Sequence, residues 1–482
     1  MQKLAEISCN RRAFVTSAGA AAACLLGGRW TRAATPGQEP PLDLMGNRFL
    51  TFNTFVRVGM IEATRDRSVG QDESALHTPE ATRAFREAIQ RGWPGGKITW
   101  AFSWRAIQDQ RPNYKAIRQL VAEYHARYGD EITFIPGGYF QPMYNSRRQT
   151  RRDLHEGLQM VSDMVGGGYR PRSVVAGYLD AASLKYLAEQ ENIHVCQGNI
   201  WSQYAIDNGD GEGSVCYPYY SSTEHFCKPA QGRADFIDCV NLDGWTCDFL
   251  AARRAGCNQV FNSRMGVGPI ETIWRYGPEI GVRQMLHATA AHFDRGFELN
   301  RFAWVTNCWE QSLAPLRGSK GKQDIECLAK WLSEIRRQWP EAKLVTQGEF
   351  GEAWRRHYHD NSFDYRFEAR GSGIGGSEAN MEIRWFMNKD FRLALLRDWK
   401  AGGPELAIDF TRYDVKAQEP PDPAPGRDER NWSLMNRLNM KRTRPQDAPR
   451  PLAQLAKEDL DLIARRYPTL ARDRGHGSPR PN

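Results

Sequence analysis

Between residues 48 and 338 the chain alternates short apolar runs with amphipathic stretches, and that alternation leaves few folds open. Apolar runs lie at 48–56, 97–103, 131–135, 173–179, 193–196 and 302–306, and 236–240 or 258–261 supplies one more. The intervening letters are helical in period. At 113–128, Ile117, Leu120, Val121 and Tyr124 share one face, and 79–90, 152–165, 181–190, 280–296 and 325–338 read similarly. Strands separated by helices of this length form parallel βαβ units. Seven or eight such units over about 300 residues predict a (β/α) barrel, complete or missing one stave, spanning 45–344.

The pattern changes near 345. Runs at 363–370, 381–386, 391–396 and 406–410 are strand-like, with alternation visible in YRFEAR and MEIRWF, and predict a β-rich domain over 345–415. The run Gly371-Ser-Gly-Ile-Gly-Gly376 spells GxGxxG, but it lies between two strands with no helix after it and reads as a hairpin turn. The remainder, 416–482, holds the Pro-rich EPPDPAPG, a helix at 453–467 and a tail expected to be disordered beyond Arg472.

Residues 1–34 read as a twin-arginine signal peptide: Arg11-Arg12 precede a mildly apolar run from Phe14 to Gly28 and small residues at Ala33-Ala34. A linker follows at 35–44, where Pro36 and QEPP exclude a continuing helix. This implies handling by the twin-arginine export machinery and a periplasmic or secreted protein. No other run reaches the roughly eighteen apolar residues of a membrane span. The net charge of +8 is scattered, without a compact Lys/Arg face, which excludes a nucleic-acid partner. Eight of the ten cysteines lie beyond the leader, with no CxxC pair, and read either as buried thiols or as one or two disulfides.

Unusual chemistry is concentrated in 197–271. Its short strands are joined by loops that carry Glu224, His225, Asp238, Asp243 and Glu271; Glu310 ends a later segment. Carboxylates at strand ends are where barrel enzymes place acids, bases and nucleophiles, and a histidine beside a carboxylate suits proton transfer. All six are candidate catalytic residues, although each carboxylate equally suits a helix cap or an ion pair. Trp201, Tyr217, Tyr219, Trp245 and Trp309 are candidate stacking platforms for sugar rings, and Arg264 is a candidate for an acidic group. Asp207, Asp210 and Glu212 space oxygen ligands like half of a calcium loop, so Ca²⁺ is a candidate ligand there, against plain turn chemistry.

The letters GNIWSQYAIDNGDGEGS, YPYYSSTEHFCKPAQG, DFIDCVNLDGWT and SRMGVGPIET, with FLTFNTFVRV upstream and GSEANMEIRWFMNKDFRLALLRDW and RNWSLMNRLNMK downstream, resemble a bacterial pair of adjoining domains of unknown function. These are numbered 3863 and 3864 and belong to the glycoside hydrolase/deacetylase barrel superfamily. The resemblance covers about residues 45–470 and brings no catalytic residues with it. Polysaccharide deacetylases of that superfamily place Asp-Asp after the first strand and a His-x-x-x-His pair after a later one. Here Asn53-Thr54 stands at the first position and no histidine pair at the second. The resemblance therefore favours glycosidase chemistry, in which two carboxylates act, one as acid and one as nucleophile or base.

The expectation is an exported carbohydrate-active enzyme, a glycoside hydrolase acting on a polysaccharide or glycan. The alternatives are a metal-dependent deacetylase using His225 and a nearby aspartate, and a non-catalytic glycan-binding protein.

Overall fold

The computed structural model describes residues 41–137, 141–199, 213–243, 246–255, 269–312, 319–424, 432–440 and 445–472. In chain order the strands are β1 (Arg48–Val56), β2 (Gly59–Ile61), β3 (Val69–Asp72), β4 (Thr99–Ser103), β5 (Glu131–Ile135), β6 (Val174–Val175), β7 (Val195–Asn199), β8 (Tyr219–Ser222), β9 (His225–Pro229), β10 (Phe236–Asp243), β11 (Ala303–Trp309), β12 (Lys343–Val345), β13 (Asp364–Arg370), β14 (Met381–Asn388), β15 (Phe391–Asp398), β16 (Leu406–Arg412) and β17 (Arg450–Pro451).

The alternating part folds into two parallel ladders. One runs β11-β1-β4-β5, with β12 also parallel to β1; the other runs β6-β7-β10 and continues into the antiparallel hairpin β8-β9. Ladder hydrogen bonds do not join the two into one ring among the described residues. They approach at both edges: β5 lies against β6, and the Thr246 N–H donates to the Thr306 carbonyl at 3.2 Å.

The helices that follow these strands begin where local chemistry satisfies their free N–H groups. Thr78 caps Pro79–Gly92, Ser146 caps Arg147–Val165 and Asp180 caps Ala181–Gln190, each through its side-chain oxygen. Their apolar faces and the outward residues of the strands form one large core that includes Phe52, Phe85, Trp100, Trp309 and Trp331.

β12 and the helix Gln347–His357 extend the parallel part beyond 344, so the sheet-only region begins later than 345. That helix carries a capping box, Thr346 with Glu349. Its first turn is bound from inside the parallel strands: Gln347 N–H donates to Thr99 Oγ1 at 2.9 Å and Gly348 N–H to Glu131 Oε2 at 2.8 Å.

β13-β14-β15-β16-β17 form an antiparallel sheet. Alternate side chains divide it: Ile383, Trp385 and Met387 pack with Tyr217 and Phe249, while Phe386, Leu393 and Leu395 pack under the C-terminal helix Lys457–Arg466. The Gly371–Gly376 run is the β13–β14 turn, closed by Gly373 N–H to the Ser377 carbonyl at 2.8 Å. The seven described cysteines are buried thiols, and Cys257 lies outside the described residues. Among the described residues no helix is long and apolar enough to cross a membrane.

Candidate active site

Side chains of a strand alternate between faces, so Thr51, Asn53 and Arg57 of the β1 segment share one side, as do Trp304, Thr306 and Glu310 of the β11 segment. Contacts show that this side is the interior of the parallel strands. Thr51 Oγ1 donates to Thr306 Oγ1 at 2.9 Å and accepts the Trp304 indole N–H at 2.9 Å. Asn53 Nδ2 donates to Gln197 Oε1, crossing from β1 to the non-adjacent strand β7. Asn53 Oδ1 and Gln347 Oε1 are buried there without a hydrogen-bond partner. Buried polar atoms are rarely left so; this interior suits bound water or ligand hydroxyls.

Beyond Asn53, at the C-terminal ends of β1 and β11, lies a charged cluster. Arg57, 3% exposed, gives a two-pronged contact to Glu73, Nε to Oε2 and Nη2 to Oε1, both at 2.7 Å. Its opposite edge reaches Glu310, Nη1 to Oε1 and Nη2 to Oε2, both at 3.4 Å. Glu73 also accepts the Ser312 hydroxyl at 2.9 Å and lies 3.6 Å from His77 Nε2. Burial works to raise the Glu73 carboxyl, but the Arg57 guanidinium and the His77 ring together hold it far below the usual carboxylate range, while burial lowers the His77 imidazole. Glu62 fixes the neighbouring loop: it accepts Val58 N–H at 2.7 Å, the Ser103 hydroxyl at 2.7 Å and Arg105 N–H at 3.1 Å. Arg57, Glu73 and Glu62 are sealed, whereas the Glu310 side chain retains 14% exposure. Among the described groups of this cluster, Glu310 is the carboxylate that solvent reaches.

The other expected residues are spread more widely. Asp238 is half-exposed on β10 and paired with His194 at 3.2 Å and Arg355 at 2.9 Å. Glu224 is bound by Lys228 Nζ at 2.7 Å and the Ala417 N–H at 3.1 Å. His225 begins β9 fully buried, its Nδ1 accepting the Cys227 N–H at 3.1 Å, and burial drives its pKa down to about 3. Tyr217 and Tyr219 are core residues: the Tyr217 hydroxyl meets His292 Nδ1 at 2.6 Å, and the Tyr219 hydroxyl donates to the Phe226 carbonyl at 2.8 Å. Trp309 is fully buried, 6.5 Å from Phe52 and 6.2 Å from Phe85 between ring centroids. These aromatics pack; they present no open face.

Asp243 ends β10 opposite Asn199, and Glu271 lies in the first turn of the helix Pro269–Ala291; their side chains lie outside the description. Trp201, Asp207, Asp210, Glu212, Trp245 and Arg264 lie outside the described residues. Arg57, Glu73, His77, Asn53 and Gln197 were not singled out as site residues from sequence. Asn53, Arg57 and Glu310 carry a readable signal, since each falls on the inward parity of its strand.

A family described as a Domain of Unknown Function with a solved structure, DUF3863, matches residues 42–387, and a second, DUF3864, matches 392–470. A solved structure from Parabacteroides distasonis, described as a candidate glycoside hydrolase/deacetylase, is similar at 48% identity and a TM-score of 0.84, covering 89% of this chain and 100% of its own. A GH57 branching enzyme from Thermococcus kodakaraensis is similar only at 10% identity and a TM-score of 0.38, over 63% of this chain and 70% of its own. That likeness carries no argument about activity. No curated protein matches the chain.

Proposed function

From the premise that the chain belongs to the family of adjoining domains DUF3863 and DUF3864, we propose that it is an exported carbohydrate-active hydrolase that cleaves a glycosidic bond. Seven of the eight described parallel strands, β1, β4, β5, β6, β7, β10 and β11, are read as staves of one (β/α) barrel, with the reaction at its C-terminal mouth, where such folds place their chemistry. The observation that carries this reading is Glu310, a carboxylate on the inward parity at the end of β11 that lies against Arg57 and is partly open to solvent. The description of the Parabacteroides distasonis relative agrees with it.

In this mechanism Glu310 acts as nucleophile or base beside Arg57. A second carboxylate, for which Asp243 at the end of β10 is a candidate, protonates the departing glycosidic oxygen. The leaving group departs as an alcohol, and the anomeric carbon gains either the Glu310 oxygen or a water whose proton Glu310 accepts. The Asn53 and Gln197 amides offer donors and acceptors to ring hydroxyls.

The test is the wild-type protein on a panel of acetylated and deacetylated bacterial polysaccharides, with reducing ends and acetate both measured. New reducing ends are expected. Acetate without reducing ends favours a deacetylase, and binding without either product favours a glycan-binding protein; both outcomes overturn the proposal.

A further inference from the structure

The Pro-rich segment singled out in the sequence has a place that the hydrolase reading does not use. Residues 415–424 leave the antiparallel sheet and run back to the start of the helix Ala181–Gln190 and to β9, and most of their length is stitched down. The Val415 carbonyl accepts Lys228 Nζ at 2.8 Å, and Ala417 N–H donates to Glu224 Oε2 at 3.1 Å. The Pro420 carbonyl accepts Arg147 Nη2 at 2.9 Å, and Asp422 Oδ1 accepts Arg147 N–H at 2.9 Å. At the centre, Glu419 Oε1 accepts two backbone N–H groups, that of Ala181 at the start of the helix Ala181–Gln190 (2.8 Å) and that of Phe226 in β9 (3.0 Å), while Oε2 accepts Arg147 Nη2 at 3.1 Å. One buried carboxyl therefore ties together a helix start, a hairpin and a helix that lie far apart in the chain.

We propose that residues 415–424 form a clasp on the parallel part of the molecule, and that protonation of Glu419 decides how firmly it is seated. The geometry supplies the reason. Asp180, fully buried, lies 3.3 Å from Arg147 Nε, so two carboxyls share one guanidinium. Of the other charged groups around the clasp, Lys228 is committed to Glu224, Asp422 lies at the exposed end on Arg147 N–H, and His225 is buried and neutral. With both carboxyls ionised, the buried cluster carries one negative charge too many; a proton on Glu419 removes it. In agreement, burial and then the Asp180 charge push the Glu419 pKa up to about 7, against 4.5 for an ordinary glutamate. The sign follows: the seated form holds its proton more tightly than the released form. Seating is firmest below pH 4.5, weakens as pH rises between 4.5 and about 7, and is weakest above. Each unit of difference corresponds to about tenfold in the seating equilibrium.

The experiment follows hydrogen exchange of the Ala181 and Phe226 amides in the full chain from about pH 5.5 to 8.5, corrected for intrinsic rates. Opening is expected to rise by about tenfold or more in the wild type and to stay level in Glu419→Gln, which keeps the acceptor oxygen but cannot ionise. A level wild-type profile, or an unchanged slope in Glu419→Gln, overturns the proposal. If that variant does not fold, wild-type trypsin cleavage after the exposed Lys416, normalised to an unstructured peptide at each pH, decides instead. A rise of about tenfold supports the clasp, and a constant rate contradicts it.

Discussion

Two clusters at strand ends pose the same electrostatic problem and settle it in opposite ways. In each, one arginine serves two carboxyls: Arg57 serves Glu73 and Glu310, and Arg147 serves Asp180 and Glu419. Arg57 commits both prongs to Glu73 at 2.7 Å and meets Glu310 at 3.4 Å, so Glu73 is driven far toward the ionised form. Arg147 divides itself, 3.3 Å to Asp180 and 3.1 Å to Glu419, and Glu419 is pushed toward the protonated form. A two-pronged contact concentrates the charge complement on one partner, whereas a shared one leaves a proton to be placed. In the first arrangement the second carboxylate, Glu310, keeps some exposure to solvent. The second makes a sealed joint that responds to pH.

The largest effect is expected at Arg57. In Arg57→Met, Glu73 stays buried without its counter-ion, and unfolding by urea is expected to show a loss of about 3–5 kcal/mol. Arg147→Met is expected to cost less, about 1–3 kcal/mol, because Glu419 already favours its proton and the Arg147 side chain is itself more exposed than that of Arg57, 17% against 4%. That loss should be greater at pH 8 than at pH 6; equal losses would mean that the two clusters do not differ in the way described. In the wild type, Glu419 alone makes stability fall as pH rises from 4.5 to about 7, and the difference in stability between wild type and Glu419→Gln should follow that slope. The smallest effect is expected at Asp238→Asn: its half-exposed pairs with His194 and Arg355 contribute below about 1 kcal/mol, and activity should not change.

The sequence made the scaffold legible more readily than the site. The runs at 48–56 and 131–135 are strands because their residues are nearly all buried, and unbroken apolar runs suit strands covered on both faces. The helix Gln347–His357 was missed although Thr346 and Glu349 spell a capping box, a local signal that was available. Arg57 with Glu310 and Arg147 with Glu419 join residues 253 and 272 positions apart, and no local pattern marks such pairs. Tyr217, Tyr219 and Trp309 illustrate the opposite limit. Composition identifies aromatic residues but does not separate a ring that packs from one that stacks on a ligand, and all three pack.

The central claim is that the solvent-reachable carboxylate at the end of β11 does chemistry, and Glu310→Gln tests it most directly. The measurement is reducing-end release by the variant and the wild type on the same polysaccharide, with urea unfolding as the control. A loss of about a hundredfold or more, with stability held within about 1 kcal/mol because Glu73 keeps Arg57 paired, is the predicted result. Wild-type turnover by Glu310→Gln would contradict it.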